Sequence, residues 1–155
     1  MPSLTFRFGH RVTYGDCTVG NHVYYGRYLE ILEAVRGEFF RDIGTSFLEL
    51  QNQGALFPVV EVRLRYRGAA HYDDELTIEL SVISAKRVRL DFGYRIVDAT
   101  GNVLVEGETH HVCTSVNNEL KRLPSELVAL LKSYLPEPQS ARPSRTDGAL
   151  VPRFE

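Results

Sequence analysis

The chain has 155 residues and a mass of 17.6 kDa, a length that suits one ordinary domain and leaves little room for two. Its hydrophobic fraction of 43% and charged fraction of 25% match soluble globular proteins and exclude disordered, collagen-like and coiled-coil classes. Eighteen Lys and Arg against twenty Asp and Glu leave a formal net charge of -2, too weak a field to hold nucleic acid or anionic lipid without a local basic patch.

The opening residues MPSLTFRFGH lack the apolar stretch of a secretory signal, and no apolar run reaches the roughly 20 residues of a membrane helix. A cytoplasmic location with no membrane partner is therefore expected. From Thr5 to Tyr14 the chain alternates, with Phe6, Phe8, His10, Val12 and Tyr14 on one side, the pattern of a half-buried strand. A polar loop containing Gly15, Asp16, Thr18, Gly20 and Asn21 follows. The period then changes: Tyr25, Tyr28, Leu32, Val35, Phe39 and Ile43 recur every three or four positions, which predicts a long amphipathic helix from about Tyr24 to Ile43.

The Gly44 to Pro58 stretch is ambiguous between a helical turn at Phe47, Leu48 and Leu50 and plain loop. Beyond it, Val60, Val62, Leu64 and Tyr66 alternate, as do Leu76 to Val82 and Val88 to Ile96, and each run predicts a strand. Ala99-Thr100-Gly101-Asn102 has hairpin chemistry, and a strand from Val103 to Val116 should follow it. Pro124-Ser125-Glu126 then opens a short helix carrying Leu127, Leu130, Leu131 and Leu135. The domain is expected over residues 1–135, with 136–155, rich in Pro, Ser and Arg, as a flexible tail. In that tail Leu150-Val151-Pro152-Arg153 resembles a protease-recognition segment. A single long helix among successive strands predicts an α+β fold built on an antiparallel sheet, because parallel crossovers would need further helices.

Cys17 and Cys113 lie far apart without C-x-x-C spacing, so reduced thiols are expected. His110 and His111 are adjacent and should face opposite sides of a strand, which argues against a shared metal. No metal is expected.

The run from Tyr14-Gly15-Asp16-Cys17-Thr18-Val19-Gly20-Asn21-His22-Val23-Tyr24-Tyr25-Gly26-Arg27-Tyr28-Leu29-Glu30 to Arg36 resembles the signature of hot-dog fold acyl-CoA thioesterases of the 4-hydroxybenzoyl-CoA thioesterase type. Phe57-Pro58-Val59-Val60-Glu61 through Tyr66, and His71-Tyr72-Asp73-Asp74-Glu75-Leu76-Thr77, match its second strand and the turn into its third. The resemblance covers roughly Thr5 to Leu135 and implies a long helix wrapped by a curved antiparallel sheet. It also implies subunits paired edge to edge as a homodimer or homotetramer, with sites at the subunit interface. The implied reaction is hydrolysis of a thioester of coenzyme A or acyl carrier protein by water, without metal or separate cofactor.

Such hydrolysis needs a base or nucleophile, and donors aimed at the oxyanion that develops on the carbonyl. A helix N-terminus offers free amides for the second task, and alignment with the family motif makes the backbone N–H of Tyr25 the candidate. For the first, the resemblance implies an acid two positions after Asp16, yet this chain has Thr18 there. A threonine hydroxyl is no general base at neutral pH. Relatives among the enediyne-polyketide thioesterases also lack the acid and are thought to orient water with neutral groups and helix amides.

Several routes stay open. Thr18 and Asn21 could position water. Asp16 could act through a different loop path, or instead cap the loop. Glu61 could reach in from its strand with a raised pKa, or face water beside Arg63 and Arg65. His22 could be the base, since a histidine ring titrates near neutrality, or could simply shape the turn. Cys17 has no base evident beside it and ranks below these. Arg36, expected near the apolar face of the long helix, matches a position where the resemblance implies Arg and is a substrate-binding candidate, or instead is ion-paired with a neighbouring carboxylate. Lys86, Arg87 and Arg89 form one basic cluster and Lys121 and Arg122 another, suited to the phosphates of coenzyme A or to plain solvent. A hydratase is disfavoured because Tyr25 to Ile43 contains no histidine. A carrier-protein thioesterase and a non-catalytic acyl-CoA-binding module are the remaining alternatives.

Overall fold

A computed structural model of the chain describes residues 2–138. Strand β1 (Phe6–Arg11) leads through a one-turn 3-10 helix at Tyr14–Asp16 into a small hairpin, β2 (Cys17–Thr18) and β3 (His22–Val23). Helices α1 (Arg27–Asp42) and α2 (Phe47–Asn52) follow, then β4 (Val59–Tyr66), β5 (Glu75–Lys86), β6 (Arg89–Val97) and β7 (Val103–Val112), and finally α3 (Ser125–Leu131). The α+β layout is the expected one. The first strand stops short of the predicted Tyr14, whose ring is 76% exposed and stacks on Tyr72 at 4.0 Å. Asp16 explains the early stop: its carboxylate accepts from the Thr13 N–H at 2.8 Å and turns the chain away from the sheet. From residue 139 on, the expected tail lies outside the described residues.

The five long strands form one antiparallel sheet in the order β1-β5-β6-β7-β4. Because β1 and β4 occupy opposite edges, the chain between them must cross the whole sheet. With sixteen residues, α1 reaches about 24 Å and runs along the strands, with Tyr28 beside Tyr66 at the end of β4 and, one helix length later, Phe40 beside Phe57 and Phe39 beside Phe6 at the starts of β4 and β1. It lays Tyr28, Ile31, Leu32, Val35, Arg36, Phe39 and Phe40 inward. These meet Ile78 and Leu80 of β5 and Leu90, Phe92 and Ile96 of β6, while Leu127 and Leu131 of α3 close one end. Phe39 is the hub, its ring lying edge-on to Phe92 at 6.0 Å and Tyr134 at 4.9 Å.

β4 differs from the expected half-buried strand. Every residue on it except Leu64 is exposed, Val59 by 44%, Val60 by 55% and Val62 by 41%. Its partner β7 lies on one side only, so one full edge and three valines face outward. A bulge interrupts the β4–β7 register between Val59 and Glu61.

Within the core a hydrogen-bonded chain joins helix to sheet. Arg36, 6% exposed, donates through Nη1 to the Tyr94 hydroxyl at 3.1 Å, so its partner is a phenol and not the carboxylate expected. Tyr94 lies 2.7 Å from Thr109 Oγ1, and Thr109 lies 2.9 Å from His111 Nε2. His111 Nδ1 sits 3.1 Å from the Phe57 carbonyl. A carbonyl only accepts, so Nδ1 carries the proton and Nε2 accepts from Thr109, which in turn accepts from Tyr94. Burial holds the His111 ring neutral, with its pKa lowered to about 4.

The histidine pair divides as predicted. His110 points to the opposite face, between Asp91 Oδ1 at 2.9 Å and Glu108 Oε2 at 3.0 Å.

Candidate active site

The hairpin that precedes α1 shapes the site. A turn closed by the Asn21 N–H on the Thr18 carbonyl at 3.2 Å places Thr18 directly opposite His22. Gly20 sits at φ +93° and Asn21 at φ 57°, and the first of these is the backbone that glycine adopts without strain. The edge of the His22 ring lies over Gly20, where a methyl group would touch it at 3.4 Å. His22 Nδ1 lies 3.3 Å from the Val23 carbonyl, which assigns the proton to Nδ1 and leaves Nε2 with a free lone pair.

Beyond the hairpin, Tyr24 donates its N–H to the Asp16 carbonyl, and Arg27 donates its own to the Tyr24 carbonyl, both at 2.9 Å. Gly26 is the N-cap of α1, and no side chain caps it. The N–H groups of Tyr25 and Gly26 find no acceptor among the described residues, so the positive end of the helix dipole stays open to an anion. A Cβ at Gly26 would sit 2.9 Å from the Tyr24 ring, so any larger residue there would push that half-exposed ring aside.

Thr18, His22, Tyr24 and Tyr25 line a cavity of about 410 Å³ together with Tyr28, Tyr66, Arg67, Gly68 and Ala69. Its walls are largely aromatic: Tyr66 lies 5.7 Å from Tyr28 and 6.5 Å, edge-on, from Tyr25. Arg67 is anchored to Glu106 at 2.5 Å. A groove of about 490 Å³ on the other face of the sheet is larger, but it lacks an open helix end. The chemistry therefore selects the smaller cavity.

Of the residues singled out from the sequence, Thr18, His22 and Tyr25 come together here. Asn21 lies in the turn beside them. Asp16 does not line the cavity; it is 1% exposed and receives His10 Nε2 and Arg27 Nε, each at 2.8 Å. Burial raises the pKa of its carboxyl, but the Thr13 N–H, Arg27 and His10 outweigh that and leave it at about 2. Glu61 is exposed on β4 and paired with Arg63 at 2.7 Å, and the Arg63 guanidinium moves its pKa down, opposite to the shift that burial would give. Cys17 is half-buried beside the Thr13 carbonyl.

Lys86, Arg87 and Arg89 sit at the tip of the β5–β6 hairpin, with Arg87 at φ 58°. The backbone at Arg122 runs next to this tip, because the following residue, Leu123, donates its N–H to the Arg87 carbonyl at 2.8 Å. Lys121 instead caps the end of α2 through the carbonyls of Gln53 and Gly54 at 3.4 and 3.3 Å. Tyr28, Tyr66 and Arg67 were not foreseen as lining residues. The available signals were the helical spacing that includes Tyr28 and the β4 alternation that includes Tyr66.

Residues 12–131 match the family model described as the thioesterase-like superfamily. The chain belongs to that superfamily. It is 32% identical over 133 residues to the acyl-CoA thioester hydrolase YbgC of Escherichia coli O6:H1, covering 85% of this chain and 99% of that one. The fold is shared with the Synechocystis 1,4-dihydroxy-2-naphthoyl-CoA thioesterase Slr0204, at TM-score 0.77 and 22% identity over 83% of this chain and 96% of that one. It is also shared with the Staphylococcus aureus protein SAV2348, solved in complex with CoA, at TM-score 0.80 and 18% identity over 98% of each chain. The hot-dog architecture expected from the sequence is thus the fold of this superfamily member. Among the described residues no helix is long and apolar enough to cross a membrane.

Proposed function

We propose that this protein hydrolyses acyl-CoA thioesters to free acid and thiol by direct attack of water. The observation that carries the reading is the convergence of Thr18, His22 and Tyr25 on one cavity at an uncapped helix start. The thioester carbonyl oxygen meets the Tyr25 N–H, which stabilises the charge developing there. His22 Nε2, unprotonated and exposed, takes the proton of a water held by the Thr18 hydroxyl and Asn21. The tetrahedral intermediate then collapses, the C–S bond breaks, and the thiolate leaves with the proton returned from His22. Asp16 serves this chemistry by tying the loop to α1, since its oxygens are already taken by Thr13, His10 and Arg27.

A homodimer completes the site in this reading. The free edge of β4, with its outward valines, is suited to antiparallel pairing with β4 of a second copy. Within one chain the basic hairpin tip lies at the end of the sheet opposite Tyr66. A two-fold axis across β4 reverses the partner, bringing the partner's basic tip to the end that holds this chain's cavity. The tip then stands three strand spacings, about 14 Å, to the side. That span suits the arm linking a thioester to a nucleotide, with Lys86, Arg87, Arg89 and Arg122 receiving its phosphates.

The test measures release of free thiol from short-chain, medium-chain and aromatic acyl-CoA esters and from acyl carrier protein, beside binding of a non-hydrolysable acyl-CoA analogue. Turnover of at least one CoA ester is expected. Tight analogue binding without turnover of any ester would make the domain a binding module, and turnover of the carrier-protein ester alone would reassign the substrate.

A further inference from the structure

Tyr25 carries the free N–H, yet little in its own segment holds it. Tyr25 is 64% exposed and lies before Gly26, the N-cap of α1. The peptide on its N-terminal side is fixed, because the Tyr24 carbonyl accepts from Arg27. The peptide on its C-terminal side takes no hydrogen bond from the first turn: the Leu29 N–H goes to the Gly26 carbonyl at 3.2 Å. The Tyr25 carbonyl is held from outside the helix, by the Tyr66 hydroxyl at 2.9 Å.

We propose that Tyr66 is a positioning residue for the reaction, holding the Tyr25 carbonyl so that the Tyr25 N–H keeps one direction toward the thioester oxygen. This rests on the Tyr25 N–H being the oxyanion donor. With a hydrogen bond on each flanking peptide, both dihedrals of Tyr25 are pinned and the amide cannot swing as the helix start frays. Preorganisation of this kind gives an oxyanion donor its effect, because no reorientation is needed as charge develops.

Tyr66 can hold that position because it is itself held. It ends β4 in register with Val105, and its ring packs against Tyr28 and Tyr25. The hydroxyl, and not the ring, performs the proposed task, so the two are separable by a single oxygen atom.

The experiment is a double-mutant cycle. Tyr66→Phe keeps the ring and is expected to lower kcat five- to tenfold, the worth of one neutral hydrogen bond, with KM within twofold and the thermal midpoint nearly unchanged. The second arm replaces Tyr25 by its 2-hydroxy-acid analogue, which keeps the side chain and turns the donor N–H into an ester oxygen. In that background Tyr66→Phe should have no further effect on kcat. An unchanged kcat in Tyr66→Phe, or the same fold-loss with and without the ester, overturns the positioning role. An ester variant as fast as the parent overturns the oxyanion reading itself, and with it the role of Tyr66. That result is distinct from a silent Tyr66→Phe in a protein whose ester form is slow.

Discussion

Asp16, just before the small hairpin, and His22, within it, are expected to respond oppositely to substitution. Asp16→Asn keeps the shape of a buried carboxylate that three donors surround but removes its charge, leaving the Arg27 guanidinium without this counter-ion. It should cost about 3 kcal/mol of stability, read as a lowered urea midpoint, while kcat of the folded fraction changes little. His22→Gln should leave the urea midpoint in place and lower kcat about a hundredfold, the usual worth of a general base. His111 gives a third residue-scale expectation. Its folded pKa of about 4 lies below the ordinary 6.5 of an unfolded histidine, so the unfolded chain binds the extra proton between those values. Stability from this group is therefore complete above pH 6.5, falls as pH drops toward 4, and loses up to about 3 kcal/mol over that window. Urea titrations at pH 7 and pH 4.5 measure the loss, and a variant carrying His111→Gln should show a flatter dependence.

At the scale of elements, the close contact of β4 with β7 offers the sharpest test. A Cβ on Gly107 would stand 1.9 Å from the backbone carbonyl oxygen of Arg63, a distance no side-chain adjustment relieves. Gly107→Ala should therefore force β4 off β7 and destabilise the fold by more than about 3 kcal/mol, with amide exchange rising first along Val59–Tyr66. Gly101, by contrast, has open space at its Cβ, so a similar loss in Gly101→Ala would have to come from its φ of +86°. The elements themselves were largely legible in the sequence, because alternation and helical spacing are local patterns. Asp16 was ambiguous for the opposite reason: whether a carboxylate caps a loop or does chemistry depends on His10 and Arg27, which no spacing rule brings to it. The alternation marks Tyr66 only as a strand residue, because its hydroxyl reaches across the fold to the carbonyl of Tyr25.

For the whole molecule, the decisive property is the open edge at β4. Alternation predicts a strand there but says nothing of its place in the sheet, which is why exposed Val59, Val60 and Val62 could not be foreseen. Val62→Arg is expected to leave the fold intact, shift the protein to monomer in sedimentation velocity, and raise KM for acyl-CoA by more than the roughly tenfold of a single tip substitution, because the proposed partner's whole basic tip is lost. A fully active monomer would refute the shared site. Arg87→Glu, on the hairpin tip, should raise KM for acyl-CoA about tenfold with kcat held, and that effect should shrink as salt screens the phosphates. The site was half legible in the sequence. Thr18, His22 and Tyr25 belong to one continuous segment, whereas the aromatic wall and the backbone bond that brings the 122–123 segment to Arg87 arise only when distant parts of the chain close.

The hydrogen-bonded chain from Arg36 to the Phe57 carbonyl has a consequence for how this sequence can drift. Each hydroxyl along it gives in one direction and takes in the other, and the carbonyl at the end sets the polarity of every link. Exchanging Tyr94 for Phe, or Thr109 for Val, would strand a donor on one side and an acceptor on the other among side chains that are all buried. The four positions 36, 94, 109 and 111 thus form a single inherited unit. A descendant could replace them together with a dry apolar set, but a lineage that changes one at a time must pass through a less stable intermediate.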